Sequence, residues 1–379
     1  MDVLHFPPVP DAYYEQLGYP KEGKTSDLVV ISRDEADALY EAASECFRMV
    51  DEATEFVIRN GLYADVGIPD YMAPIIERTY TDYRKHPHML GRFDFAGGTN
   101  GLPIKLIEFN ADTPFSIFEV STVQYALAKY HGLNPDENQY NRLFEELQAF
   151  FRYLGERLVL PRVLFTNAED GEDDLNTLLL REAASESLPG DYAHWTDVCI
   201  DERCGFCTVD GERIRNLYNV VVKMVPWDLL FHEDENMARW MAKTMERQPD
   251  TVVCNPPYAA IYQSKYLMKI LCELFPDSPY LLKTSTLPLT GPYVAKPVWG
   301  REGQNIRIED GVRSERTGGF YSDQPLIYQE LARLAERDGQ FYQAGVFISM
   351  ETPCGIGFRR ASRRIITTDD HLCGHIIRG

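Results

Sequence analysis

The amino-acid sequence predicts a mixed α/β (α+β) fold, and three local patterns carry that expectation. A long amphipathic helix is written near the start. Two short strand patterns flank a turn-rich segment soon after it. From about residue 160 strand and helix patterns then alternate, as in a packed α/β layer. At 379 residues the chain can bury a sizeable core, and the patterns divide it into 1–155, 156–250 and 251–379.

The helix is expected over about 33–60. Ser32-Arg-Asp-Glu35 has capping-box spacing, apolar residues recur from Leu39 to Val57, and Gly61 stands where such a helix stops. The strands are Gly91–Phe95 and Ile104–Phe109, joined as a hairpin through Ala96-Gly-Gly-Thr-Asn-Gly-Leu-Pro103. Helices follow over 118–130 and 140–154. Next come a strand at 158–165, a helix at 174–184, a strand at 192–200 and a strand–turn–strand over 201–213. Residues 237–250 read as a Met/Asp-rich connection, followed by a helix over 265–275. The strand Tyr293–Val298 then runs into Trp299-Gly-Arg-Glu-Gly-Gln304, and further strands fill 325–379.

Composition excludes several classes. A formal net charge of −20 argues against nucleic-acid binding, which needs surplus Lys and Arg; it would attract a cationic partner such as a polyamine, but equally suits a soluble protein kept apart by self-repulsion. No apolar run approaches the roughly 18 residues of a membrane helix. The first residues lack a signal-peptide pattern, so a cytoplasmic protein is expected. Eight cysteines in such a chain do not make a disulfide scaffold. The pair Cys204-Gly-Phe-Cys207 lacks the second Cys/His pair of a zinc site and reads as reduced thiols in a hairpin.

Strand alternation puts Glu108 and Asn110 on one face, and Arg92 and Asp94 on one face of the preceding strand. Phe93, Phe95, Ile107 and Phe109 would pack behind. Two carboxylates and an amide are hard ligands suited to magnesium carrying a polyphosphate, although a solvated hairpin face would look the same. Lys296-Pro-Val-Trp-Gly-Arg-Glu-Gly303 ends a strand in a loop with two glycines, which suits phosphate but equally an ordinary turn; it is no Walker A motif. Ile327-Tyr-Gln-Glu-Leu331 could offer backbone groups to an adenine and a carboxylate to a ribose. Gly355-Ile-Gly-Phe-Arg-Arg360 concentrates arginines in an acidic chain.

Together these segments resemble the synthetase domain of the glutathionylspermidine synthase family and its single-domain acid–amine ligase relatives. Gly91-Arg-Phe-Asp-Phe95, Leu106-Ile-Glu-Phe-Asn-Ala-Asp-Thr-Pro114, Lys223-Met-Val-Pro-Trp227, Lys296–Gly303, Tyr328–Leu331 and Gly355–Arg359 occur in the family's order from residue 91 to 359. The resemblance implies an ATP-grasp fold with rearranged chain order and a small pre-ATP-grasp layer. It implies that Asp94, Glu108 and Asn110 bind Mg2+, and that Lys265 and Lys296 hold the phosphates of ATP. Gly300, Arg301 and Gly303 would complete the phosphate loop, and Gln329, Glu330 and Leu331 the adenine hinge. Arg92 and Arg359 would face the substrate carboxylate and the transferred phosphoryl group, with Thr113 and Ser116 seating the acid.

The implied activity is amide formation between a carboxylic acid and an amine through an acyl phosphate, with ATP consumed and Mg2+ as cofactor. A catalytically silent ATP-binding regulatory or scaffold protein is the alternative. The 379 residues are not expected to have room for the amidase domain of bifunctional members. Phe115 stands where the family commonly has a small hydroxyl residue, and Thr367–Gly374 lacks the usual ending, so glutathione and spermidine are only the leading guess among acid and amine substrates.

Overall fold

The computed structural model describes residues 1–7, 9–18, 27–168, 171–201, 203–210, 213–367 and 370–378. The middle of the tail motif (368–369) and residues 202, 211 and 212 of the cysteine-bearing stretch lie outside the described residues. Among the described residues no helix is long and apolar enough to cross a membrane.

The helix Arg33–Asn60 forms as written. Ser32 accepts from the Glu35 N–H, the Glu35 carboxylate accepts from the Ser32 N–H, and Gly61 takes the left-handed conformation that stops the helix. Its apolar stripe packs on one face of a mainly antiparallel sheet. The strand order there is Asp2–Leu4, Leu28–Ile31, His371–Ile377, Thr352–Ala361, Gln340–Ser349, Gly91–Ala96 and Lys105–Asn110. Ala335–Arg337 pairs to the side of Gln340–Ser349. Alternation sorts this sheet: Phe93, Phe95, Ala344, Val346, Ile348, Ile356 and Phe358 face the core that contains the long helix. The opposite face is apolar where Phe347 and Cys354 share a cluster with Leu143 and Leu147 of the helix Leu143–Gly155, and where Leu28, Val30 and Ile376 pack with Ala128. Its polar end carries Arg92, Asp94, Gln343 and Arg359.

A second, parallel sheet runs Val252–Cys254, Val220–Lys223, Val163–Asn167 and Gly190–His194, with the helices Leu143–Gly155 and Gly171–Ala184 against its core. A third sheet is antiparallel, in the order Thr284–Ser285, Leu326–Glu330, Tyr293–Pro297, Arg307–Glu309 and Ser314–Arg316.

Several local expectations change. The stretch 192–200 is not one strand: Gly190–His194 belongs to the parallel sheet, a 3-10 turn at Trp195–Asp197 redirects the chain, and Val198–Asp201 begins a separate three-stranded meander with Gly205–Asp210 and Arg213–Tyr218. The connection at 237–250 is mostly the helix Glu235–Arg247, capped by the Asp234 side chain accepting from the Met237 N–H. The helix expected at 118–130 opens with a π turn at Glu119–Val123 before the α-helix Gln124–Tyr130. The strand expected at 158–165 begins only at Val163, because Pro161 and its exposed neighbours precede the sheet.

Candidate active site

The hairpin pairs Arg92 with Asn110, Phe93 with Phe109 and Asp94 with Glu108. Behind it the Phe93 and Phe109 rings stack at 3.8 Å, anchoring the two strands face to face in the core. After Asp94 the register slips: Phe95 pairs with Leu106, leaving Ile107 as the extra residue of a bulge. Leu106 therefore takes the core position, at 1% exposure, where Ile107 was expected to pack. Ile107 instead lines the cavity, and its carbonyl accepts from Lys296 Nζ at 2.9 Å.

The polar end of the large sheet and the inner face of the five-stranded sheet enclose a cavity of about 500 Å³. Arg92, Asp94, Glu108, Asn110, Thr113, Lys265, Lys296, Gly300, Arg301, Gly303, Gln329, Glu330, Leu331 and Arg359 all line it. Ser116 is the exception. It lies in a small adjoining recess with Arg92, Asp94, Gln343 and Arg359, in a left-handed backbone conformation with φ of 69°.

Arg92 grips Asp94 through two bonds, Nε to Oδ1 at 2.6 Å and a second guanidinium nitrogen to Oδ2 at 3.0 Å. It also donates to the Phe115 carbonyl at 2.7 Å. Asn110 donates to Asp94 Oδ2 at 3.0 Å and to Glu108 Oε1 at 3.5 Å. Lys265 was expected on a helix. It precedes the helix Leu267–Leu274 and is buried, with Nζ donating to the Gly300 carbonyl at 2.8 Å and 3.4 Å from Glu108 Oε2. Burial opposes the charge on Glu108, but Lys265, Lys296 and Arg92 outweigh it and hold the carboxyl at about 2. Burial pulls Lys296 down to about 8, the Glu108 charge resisting.

Asp94, Glu108 and Asn110 thus line one cavity and touch through the Asn110 amide NH2, while both Asp94 oxygens are held by Arg92. Among the described residues no three His, Cys, Asp or Glu side chains gather as a metal cage. Two carboxylates and an amide fit a hard cation that takes its remaining ligands from phosphate and water.

The loop after Lys296 has its own constraints. Gly303 has φ of +67°, and a Cβ there would sit 2.2 Å from the Ile366 carbonyl oxygen, so only glycine fits. Arg301 lines the cavity while its guanidinium pairs with Asp228. At the expected hinge, the N–H groups of Glu330 and Leu331 already bond the Lys283 and Pro292 carbonyls, so they are not free for an adenine. Gln329 is buried and lines the cavity from the same strand.

Sequence reasoning missed Gln263, Gln343, Asp310 and Arg364, which also line the cavity. Gln263 Oε1 accepts from the Ala111 and Asp112 N–H groups at 2.7 and 3.2 Å, locking the turn after Asn110. Its place two residues before Lys265 was the available signal. Arg364 is paired with Asp310 and Glu315.

A family model described as "Glutathionylspermidine synthase preATP-grasp" matches residues 14–378. The chain is 24% identical over 371 residues to the Haemophilus influenzae protein named "Putative acid--amine ligase", covering 90% of this chain and 87% of that one. It is 27% identical over 375 residues to the Escherichia coli bifunctional glutathionylspermidine synthetase/amidase, covering 90% of this chain but 57% of that protein's length. A glutathione synthetase-like effector of Globodera pallida superposes with a TM-score of 0.59 at 11% identity, over 97% of this chain and 95% of that one, which speaks for the fold alone. The fold is the mixed α/β ATP-grasp type, and the chain belongs to the glutathionylspermidine synthase preATP-grasp family.

Proposed function

We propose that this protein joins a carboxylic acid to an amine, using ATP and passing through an acyl phosphate. One observation carries the reading: Asp94, Glu108 and Asn110 converge in the same cavity as Lys265, Lys296, Arg92 and Arg359. Carboxylates beside ammonium and guanidinium groups suit phosphoryl transfer, where charge moves onto phosphoryl oxygens and little covalent work falls to the protein.

In this reading Lys296 and Lys265 hold the polyphosphate, and the loop at Gly300–Gly303 lies against it. Asp94, Glu108 and Asn110 would hold Mg2+, which would supply charge neutralisation to the phosphates. A substrate carboxylate, steered by Arg359 and Arg92 and seated near Thr113 and Ser116, attacks the γ-phosphorus and ADP leaves. The amine then attacks the acyl carbon, and inorganic phosphate departs from the tetrahedral intermediate. The net charge of −20 favours a cationic amine, such as a polyamine, in the second step.

The test is phosphate release from ATP·Mg with glutathione and spermidine as the first acid and amine of a wider panel. Release is expected only when both are present, with a matching amide by mass spectrometry. Asp94→Asn should lower the rate by about a hundredfold or more while leaving the far-ultraviolet circular dichroism unchanged. An undiminished rate would sink the metal assignment, and tight ATP·Mg binding without product across the panel would point to a silent nucleotide-binding protein.

A further inference from the structure

The Cys204-Gly-Phe-Cys207 motif lies away from the cavity, and the fold gives its thiols other neighbours than the spacing suggests. Among the described residues, none of the meander at 198–218 lines the cavity. Cys207 is buried in the strand Gly205–Asp210, directly opposite Cys199 of the antiparallel strand Val198–Asp201. Their Sγ atoms are 2.8 Å apart. Cys204 sits in the connecting turn, where both its N–H and its thiol donate to Asp201 Oδ1, at 3.1 and 3.0 Å.

We propose that Cys199 and Cys207 are a thiol–disulfide modification site, forming a reversible cross-strand disulfide with a small organic disulfide as oxidant. Pairing register, rather than sequence spacing, selects the partners. Strand pairing already holds the two side chains opposite each other, so a movement of under about an ångström brings the sulfurs to the roughly 2.05 Å of a bond. The partly exposed Cys199 offers the point of entry, and buried Cys207 the resolving thiol. The turn that Asp201 organises keeps Cys204 bonded at the tip, away from that exchange.

The chemistry balances. The Cys199 thiolate attacks one sulfur of the oxidant, making a mixed disulfide and releasing one thiolate. The Cys207 thiolate then attacks the Cys199 sulfur, forming the Cys199–Cys207 bond and expelling the second thiolate. Two electrons pass to the oxidant, and the two protons lost by the cysteines end on the two thiols it becomes.

The full chain is equilibrated with bis(2-hydroxyethyl) disulfide, denatured and labelled with N-ethylmaleimide. The expected result is six labelled thiols of the eight, all eight returning after dithiothreitol. Trypsin cuts after Arg203, so the disulfide should join the Cys199 peptide to the peptide beginning at Cys204. Cys204→Ser should keep that cross-link, and Cys207→Ser should abolish it with the circular dichroism of both variants unchanged. Eight labelled thiols at every oxidant concentration, or a cross-link that survives Cys207→Ser, would overturn the proposal. The readout does not involve ligase turnover, so failure of the proposed activity leaves it intact.

Discussion

Lys296 holds two demands at once, being buried among groups of both signs and donating to the Ile107 carbonyl. Burial lowers its proton affinity to about 8, so its charge is partly lost just above neutrality. Glu108, held at about 2, keeps its negative charge throughout that range. If the ammonium holds polyphosphate, nucleotide affinity of the metal-free protein should fall as pH rises from 7 to 9. The expected loss is about tenfold by titration calorimetry, and Lys296→Met should bind weakly at both pH values with the slope removed. The same residue acts oppositely on folding. Its folded pKa lies below the unfolded 10.5, so the unfolded chain holds the extra proton between about 8 and 10.5, and this group's contribution to stability rises with pH there. A binding curve that is flat between pH 7 and 9 would remove Lys296 from the phosphate site.

At the scale of elements, the turn after Asn110 is braced from inside the molecule. Asp112 accepts from Lys223 Nζ at 2.9 and 3.2 Å and from the Trp227 N–H, and Lys223 also donates to the Val225 carbonyl at 2.9 Å. Asn255 closes the network, donating to the Ala111 and Asp112 carbonyls. Burial disfavours the charge on both Asp112 and Lys223, so each depends on the other. Lys223→Met should therefore destabilise the protein by about 3–5 kcal/mol in urea unfolding, and Asp112→Leu in the same chain should recover much of that. A single variant as stable as the parent would show the pair to be ornamental. The segments holding this brace were legible as motifs, but not their pairing, since 111 residues separate Lys223 from Asp112. The long helix and the hairpin were legible because capping, period and turn chemistry are local. The Ile107 bulge and the break after His194 were not. Local alternation continues across both places, and what decides them is pairing with distant strands.

At the scale of the whole molecule, the large sheet joins the two ends of the chain: His371–Ile377 lies parallel to Leu28–Ile31 and antiparallel to Thr352–Ala361. His375 sits at that junction, fully buried, and its ring is held as a neutral base. Its Nε2 accepts from the Tyr140 N–H at 2.8 Å, while Nδ1 donates to Gln124 Oε1 at 3.1 Å. Burial pulls this histidine down to about 4, as it does His88, which donates to the Ala111 carbonyl at 2.6 Å behind the metal-type trio. The ordinary value for the unfolded chain is about 6.5. Between 6.5 and 4 the unfolded chain therefore binds protons that the folded one refuses. The stabilisation from both neutral rings is complete above 6.5 and drains away as pH falls toward 4. The free energy of unfolding obtained from urea titrations should drop steeply over that window, by several kcal/mol in all. His375→Gln should be less stable at pH 7 and lose part of the slope, because it removes one group that must stay uncharged while leaving a side chain able to hydrogen-bond. The decisive comparison is the difference between parent and variant in how unfolding free energy changes from pH 7 to 4.5. If the two slopes coincide, the strand that ties the chain's ends together is not what acid loosens.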